Sequence, residues 1–321
     1  MTRFLLTLLF AAVLPIAAHA QSWPAKPIRL VAPFPPGSSI DVIARLISQP
    51  MSEILGQSVV IENRVGAGGN VGVDAVVKSP KDGYTIGIGA RGPLAINPFL
   101  VDSMSYDPVK DVAPIALFGS SAIVLWVSAD HPAKTMQEFV AAAKAQPGKL
   151  NYASDGIGTT NHLGGEALRR AANIDVVHIP YKGTAEAITA LLQGDVHIFP
   201  GGLPPLVGQY KAGKIRPLAV AMKERIPQLP DVPTVGETGL AGAEMYAWFA
   251  MFAPAGTPGD VIAKIRDALG KTLDKPEIRE RLISLGITPQ LSTPEELAKL
   301  VQEEQARWGP IIKSSKAMKT S

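Results

Sequence analysis

Apolar positions along this chain fall into two alternating rhythms. Short runs rich in Val, Ile and Leu, the length of buried strands, occur over 28–32, 59–62, 84–89, 115–118, 123–127, 150–153, 176–179, 196–199, 215–220 and 245–253. Between them apolar residues recur at three- and four-residue spacing, the mark of a helix with one buried face. This predicts helices over 39–55, 70–78, 136–145, 159–171 and 185–192. Three closing helices follow over 258–271, 276–285 and 294–308, each with Pro at or near its first turn, where the missing N–H costs nothing. In 39–55, Ile40, Ile43, Ala44, Ile47 and Met51 share one face. Strand–helix alternation implies an α/β fold of mostly parallel sheets flanked by helices. The series runs twice, so the expectation is two lobes: a discontinuous lobe 1 over 21–123 and 245–321, and lobe 2 over 124–244. Two crossings make a hinge, with a cleft at the C-terminal strand ends, where ligands bind in open α/β sheets. A single doubly wound domain is the alternative.

One apolar segment fits neither rhythm. Residues 5–16 are broken only by Thr7 and Pro15, with Arg3 ahead and the small-residue triplet Ala18-His19-Ala20 before Gln21. This is the pattern of a secretory signal peptide over 1–20. The stretch is too short to cross about 30 Å of hydrocarbon, no Cys stands at the cut for a lipid, and no second Arg accompanies Arg3.

Composition removes several chemistries. Cysteine is absent, which excludes disulfides, thiol catalysis and Cys–zinc sites. A net charge of +3, falling to +2 once Arg3 is removed, comes without a basic run that would grip nucleic acid. The histidines beyond the leader, His131, His162, His178 and His197, show no metal-ligand spacing, so neither metal nor cofactor is expected.

Four strand-to-helix loops carry the candidate chemistry. The first, Ala32-Pro-Phe-Pro-Pro-Gly-Ser-Ser-Ile-Asp41, is stiffened by Pro35 and Pro36, and Gly37 allows close approach of backbone. Ser38 or Ser39 can cap the next helix, whose free N–H groups suit an anion, or these residues and Asp41 serve as caps alone. The second, Asn63-Arg-Val-Gly-Ala-Gly-Gly-Asn-Val-Gly72, lacks the third glycine of a dinucleotide fingerprint, because Val71 stands there. It reads instead as a turn offering N–H donors to a small anion. The third, Ala153-Ser-Asp-Gly-Ile-Gly-Thr-Thr-Asn-His162, repeats the first in the second lobe, and the fourth, Pro180-Tyr-Lys-Gly-Thr184, offers the ring and hydroxyl of Tyr181 and the charge of Lys182. Ser154, Asp155 and His162 invite a catalytic triad, but Tyr152-Ala-Ser-Asp-Gly156 lacks the nucleophile elbow, and binding without chemistry is the better reading.

At these loops the chain resembles a known family. The motifs are Trp23-Pro-x-Lys-Pro-Ile-Arg-Leu-Val31, Pro33-Phe-Pro-Pro-Gly-x-x-x-Asp41-x-x-Ala-Arg45, Glu62-Asn-Arg-x-Gly-Ala-Gly-Gly-Asn-x-Gly72 and Asp82-Gly-Tyr-Thr85. Ile96-Asn-Pro98, Gly158-Thr159, His162-Leu163, Val177-His-x-Pro-Tyr-Lys-Gly183, Leu229-Pro-Asp-Val-Pro-Thr234, Trp248-Phe249 and Ala253-Pro-Ala-Gly-Thr-Pro258 continue them in order. They are similar to the Bug-type (TctC-like) periplasmic substrate-binding proteins of tripartite tricarboxylate transporters. That resemblance implies a type II-like two-lobe flytrap, a monomer that binds a small organic anion, often a carboxylate, and hands it to membrane permease subunits. Carried over, the family's anion-holding loop points to Phe34, Pro36, Gly37, Ser38, Ser39 and Asp41, with Gly68, Gly69 and Asn70 and then Thr159 and Thr160 adding contacts across the cleft. Ser154 and Tyr181 join them from the third and fourth loops. Two departures stand out: Ser38-Ser39-Ile40, where many members carry glycines, and Arg91, where a small residue is expected. Arg91 reads either as the partner of a second carboxylate or as a surface salt-bridge residue. A sensor role on a receptor ectodomain, and more remotely a secreted hydrolase, remain as alternatives.

Overall fold

The computed structural model describes residues 23–101 and 103–314; the leader read in residues 1–20 lies outside this range. Its first lobe is built on one mixed sheet. Strands β1 (Ile28–Ala32), β2 (Val59–Asn63) and β3 (Thr85–Ala90) pair in parallel with β1 at the centre. They are joined through helices α1 (Ser39–Leu55) and α2 (Asn70–Val77). The sheet continues through antiparallel partners in the order β3, β9 (Tyr246–Pro254), β4 (Val112–Ser128) and β10 (Ile287–Pro289). The second lobe holds α3 (Met136–Ala145), β5 (Asn151–Ser154), α4 (Thr160–Ala172), β6 (Val177–Pro180), α5 (Thr184–Gln193), β7 (Phe199–Gly202), α6 (Leu203–Lys211) and β8 (Ile215–Val220). Helices α7 (Gly259–Leu273), α8 (Pro276–Ser284) and α9 (Pro294–Ser314) close the chain.

The two runs read as separate strands over 115–118 and 123–127 form one strand of 17 residues, β4. Its register shifts at two irregularities in the first half, between Pro114 and Ala116 and between Leu117 and Gly119, which let it twist without ending. It pairs with β9 as far as Ala122↔Tyr246 and with β7 from Ile123↔Gly202 onward, so one strand serves both lobes. The second connection runs alongside: the Ala221 N–H donates to Ile123 O, and Met245 N–H to Ala221 O, each at 2.8 Å.

Period-two alternation explains the cores. Along β9, Trp248, Ala250 and Phe252 face one apolar cluster and Phe249, Met251 and Ala253 the other. Along β4, Ile123, Leu125 and Val127 join a cluster running through both lobes, while Val124 and Trp126 join a third with Phe199, Leu203 and Leu206. Strands buried on both faces read as continuous apolar runs. Helix α1 buries Ile40, Ile43, Ala44, Ile47 and Met51, as its spacing predicts.

Candidate functional site

The loop after β1 is held rigid from behind. Ser38 caps α1, its Oγ accepting from the Asp41 N–H at 3.2 Å. Asp41 is buried, and its carboxylate accepts from Gly37 N–H at 2.9 Å, from Arg45 at 2.9 and 3.0 Å, and from Asn63 Nδ2 at 3.0 Å. Burial works against its charge, but these donors outweigh it and hold the carboxyl below the usual aspartate range. Asn63 also donates to Phe34 O at 2.9 Å, tying this loop to the one after β2. Gly37 turns the chain at φ 84°, in the left-handed region where glycine is favoured.

In front of this loop lie two adjoining cavities. The larger, about 570 Å³, runs between the loops after β1 and β2 and those of the second lobe; Phe34, Gly68, Gly69, Asn70 and Tyr181 line it. The smaller, about 50 Å³, is lined by Ser38, Ser39 and Ile40 from the start of α1 and by Thr159, Thr160 and Asn161 from the start of α4. Ser39 and Ile40, like Thr160 and Asn161, are the first two residues of their helices. N–H groups at those positions have no acceptor within the helix. Phe34 and Asp155 line both cavities.

The second-lobe wall is built on a polar stack. Thr159 caps α4, accepting from His162 N–H at 3.3 Å and donating to Gly156 O at 2.8 Å. His162 Nδ1 accepts from Gly158 N–H at 3.2 Å, and the His162 and His178 rings stack at 4.1 Å beside Tyr152. Burial lowers His162 to about 4 and His178, beside it, to about 3. Both are neutral scaffolding for the loop. Asp155 Oδ2 accepts from Thr184 Oγ1 at 3.1 Å, whereas its buried Oδ1 has no hydrogen-bond partner. Burial pushes this carboxyl up from the ordinary value, while Thr159, Thr184 and Asn161 favour its charge.

The first-lobe wall holds a residue the sequence reading passed over. Asn97, in a turn that follows an irregular π-type turn over Gly92–Ile96, donates through Nδ2 to Asn70 Oδ1 at 2.6 Å. Tyr106 donates to the same oxygen at 3.2 Å and to Pro93 O at 2.8 Å. Asn70 therefore lines the cavity with its amide already fixed. The motif Ile96-Asn-Pro98 was a signal for Asn97, but a lone Asn beside Pro also reads as a turn residue.

Several expected contacts are placed elsewhere. Arg91 does not reach the cleft: it is 1 % exposed, its Nε 3.1 Å from Glu304 Oε2 and its Nη2 donating to Glu304 Oε1 at 3.1 Å. The guanidinium also lies 4.5 Å from the Tyr246 ring centre and packs on Met245 Sδ. It is a buried ion pair pinning α9 against the second connection, and neither the carboxylate partner nor the surface salt bridge expected. Asp41 lies behind the first loop and lines neither cavity. Pro36 and Gly37 are exposed and outside both linings, although the Gly37 N–H holds Asp41. Ser154 is fully buried, 2.6 Å from His178 Nε2 and bonded to Gly156, so it supports the third loop from beneath. The triad reading fails on the same geometry, since Ser154 pairs with His178 and His162 turns to Gly158.

The family model for the tripartite tricarboxylate transporter family receptor matches residues 43–316. The chain belongs to this receptor family. Among solved structures, the periplasmic binding protein BugD superposes at a TM-score of 0.88 with 33% identity, covering 93% of this chain and 100% of that one. A protein of R. palustris solved with adipate gives a TM-score of 0.88 and 34% identity over 91% of this chain and 97% of its own. MatC from Rhodopseudomonas palustris, with bound malate, gives 0.86 and 34% over 90% and 100%. As a member of the TctC receptor family the chain is a solute-binding protein and not an enzyme.

Proposed function

We propose that this protein captures a small organic anion, a carboxylate, between its lobes in the periplasm and, as a monomer, delivers it to the membrane subunits of a tripartite tricarboxylate-type permease. One observation carries the reading: the starts of α1 and α4, from opposite lobes, converge on a single small cavity with the hydroxyl residues Ser38, Ser39, Thr159 and Thr160. Unpaired N–H groups and the positive end of the helix dipole favour negative charge there. The relatives solved with adipate and malate support the ligand class. We infer that the lobes, divided at Ala122–Ile123 and at Met245, rotate about these two crossings to open and close the cleft.

The test is a thermal-shift and calorimetric screen of the mature protein against carboxylates, beginning with adipate and malate, alongside their methyl esters. Esterification removes the charge, and one lost charge-assisted hydrogen bond is worth about 1.5–3 kcal/mol. Esters should therefore bind at least tenfold more weakly. Equal affinity of acid and ester would sink the anion reading. Delivery is tested separately, by stimulation of uptake in vesicles carrying the permease.

A further inference from the structure

The chamber that seats the carboxylate in this reading is bordered by an acid. Asp155 lines both cavities at their junction, and no hydrogen bond reaches its Oδ1. Its known partner, the Thr184 hydroxyl, is on the other oxygen, and the side chains that favour its charge, those of Thr159, Thr184 and Asn161, are all neutral. Among the ion pairs of the described residues, none involves Asp155. Beyond it the larger cavity is walled mainly by apolar groups such as Phe34, Leu100, Ile157 and Pro180, with the exposed Lys182 at its border making no ion pair with Asp155.

A carboxyl with a buried, unpaired oxygen and no ion-pair partner is stabilised in its charged form by a positive group placed against it, which a plain carboxylate in the same chamber cannot supply. We propose that Asp155 receives the ammonium group of the ligand, so that the cleft takes an amine-bearing carboxylate: acid group on the starts of α1 and α4, amine on Asp155, remainder in the larger cavity. This rests on the carboxylate reading above and narrows it to zwitterions such as α-amino acids.

The experiment is isothermal titration of wild type and Asp155→Asn with two matched pairs, L-phenylalanine against 3-phenylpropanoate and L-glutamate against glutarate. Asn keeps an acceptor for Thr184 at nearly the same size, and unchanged melting in the absence of ligand checks that the fold is intact. In wild type the amine-bearing member of at least one pair should bind ten times or more tighter than its partner. In Asp155→Asn that preference should collapse, with the amino acid weakened at least tenfold and the amine-free acid unchanged or tightened. Preference of wild type for the amine-free acids, or equal weakening of both members of a pair, would overturn the role of Asp155 while leaving the carboxylate reading standing. Failure of all four acids to bind, together with acid–ester equality in the screen, would remove both.

Discussion

Glu304 lies 213 positions from Arg91 in the chain, and nothing local to either residue announces the other. A lone Arg just past a strand end reads naturally as a ligand contact, because that is where such sites are; its burial against α9 is a property of the folded chain. The pair makes a prediction at this scale. Glu304→Gln leaves a buried guanidinium without its counter-charge and should cost about 3–5 kcal/mol in chemical denaturation. Affinity for mono- and dicarboxylates should change by the same small factor. A selective loss for dicarboxylates would return Arg91 to the ligand. Asp41 was misread for a related reason: a cap and a ligand contact use the same residue types at a helix start, and only the placement of Asn63 and Arg45 around its carboxylate distinguishes them. That Ser38, Ser39, Thr159 and Thr160 gather at one cavity was legible because hydroxyls after glycine turns at two strand ends are a pattern, not a single residue.

Among the elements, the long apolar runs and amphipathic helices were readable, and the exceptions have physical causes. Helix α6 went unpredicted because Pro204-Pro205 reads as a break, yet Pro stands in the first turn, where no N–H is needed. Strand β10 is three residues long and owes its existence to pairing with β4. The stack beneath α4 sets a pH dependence. An unfolded histidine titrates near 6.5, whereas His162 is lowered to about 4 and His178 to about 3. Between these values the unfolded chain binds protons that the folded one refuses. Stability is therefore full above pH 6.5 and falls as pH drops toward 4, by about 1.4 kcal/mol per pH unit for each histidine. Melting followed from pH 7 to 4.5 should show this slope, and His178→Phe should remove its own share, leaving what His162, His131 and His197, all lowered by burial, contribute. An unchanged slope in that variant would mean the proton uptake lies elsewhere.

For the whole molecule, the doubled strand–helix series announced two lobes, but not how closely they meet. A Cβ on Gly92 would strike the carbonyl oxygen of Gly158, and one on Gly68 that of Ile157, so first-lobe glycines abut the second lobe across the cleft. Gly92 has no left-handed backbone to strain, which makes Gly92→Ala a clean wedge. Overpacking of this kind costs about 1–3 kcal/mol. Here the lobes can part to relieve it, so ligand affinity should fall about tenfold or more while unfolding of the free protein barely changes. Small-angle scattering with saturating ligand should then give a larger radius of gyration than wild type under the same conditions. A wild-type radius and affinity would show that closure tolerates the methyl group and that the lobes do not meet there in the bound state.

The place of β9 in the first sheet governs the order in which the chain can assemble. Tyr246–Pro254 lies between β3 and β4, though both of those strands come more than a hundred residues earlier. Until it arrives, β3 and β4 have no partner between them, and the apolar faces of both strands stay open to water. Such non-local pairing delays the folding nucleus, because the loop-closure entropy must be met before the contacts form. A polypeptide ending at residue 240 should therefore lack the cooperative melt of the first lobe, whereas one carrying the chain from β9 onward regains it. The last quarter of the chain is thus the part that turns the first strands into a folded body.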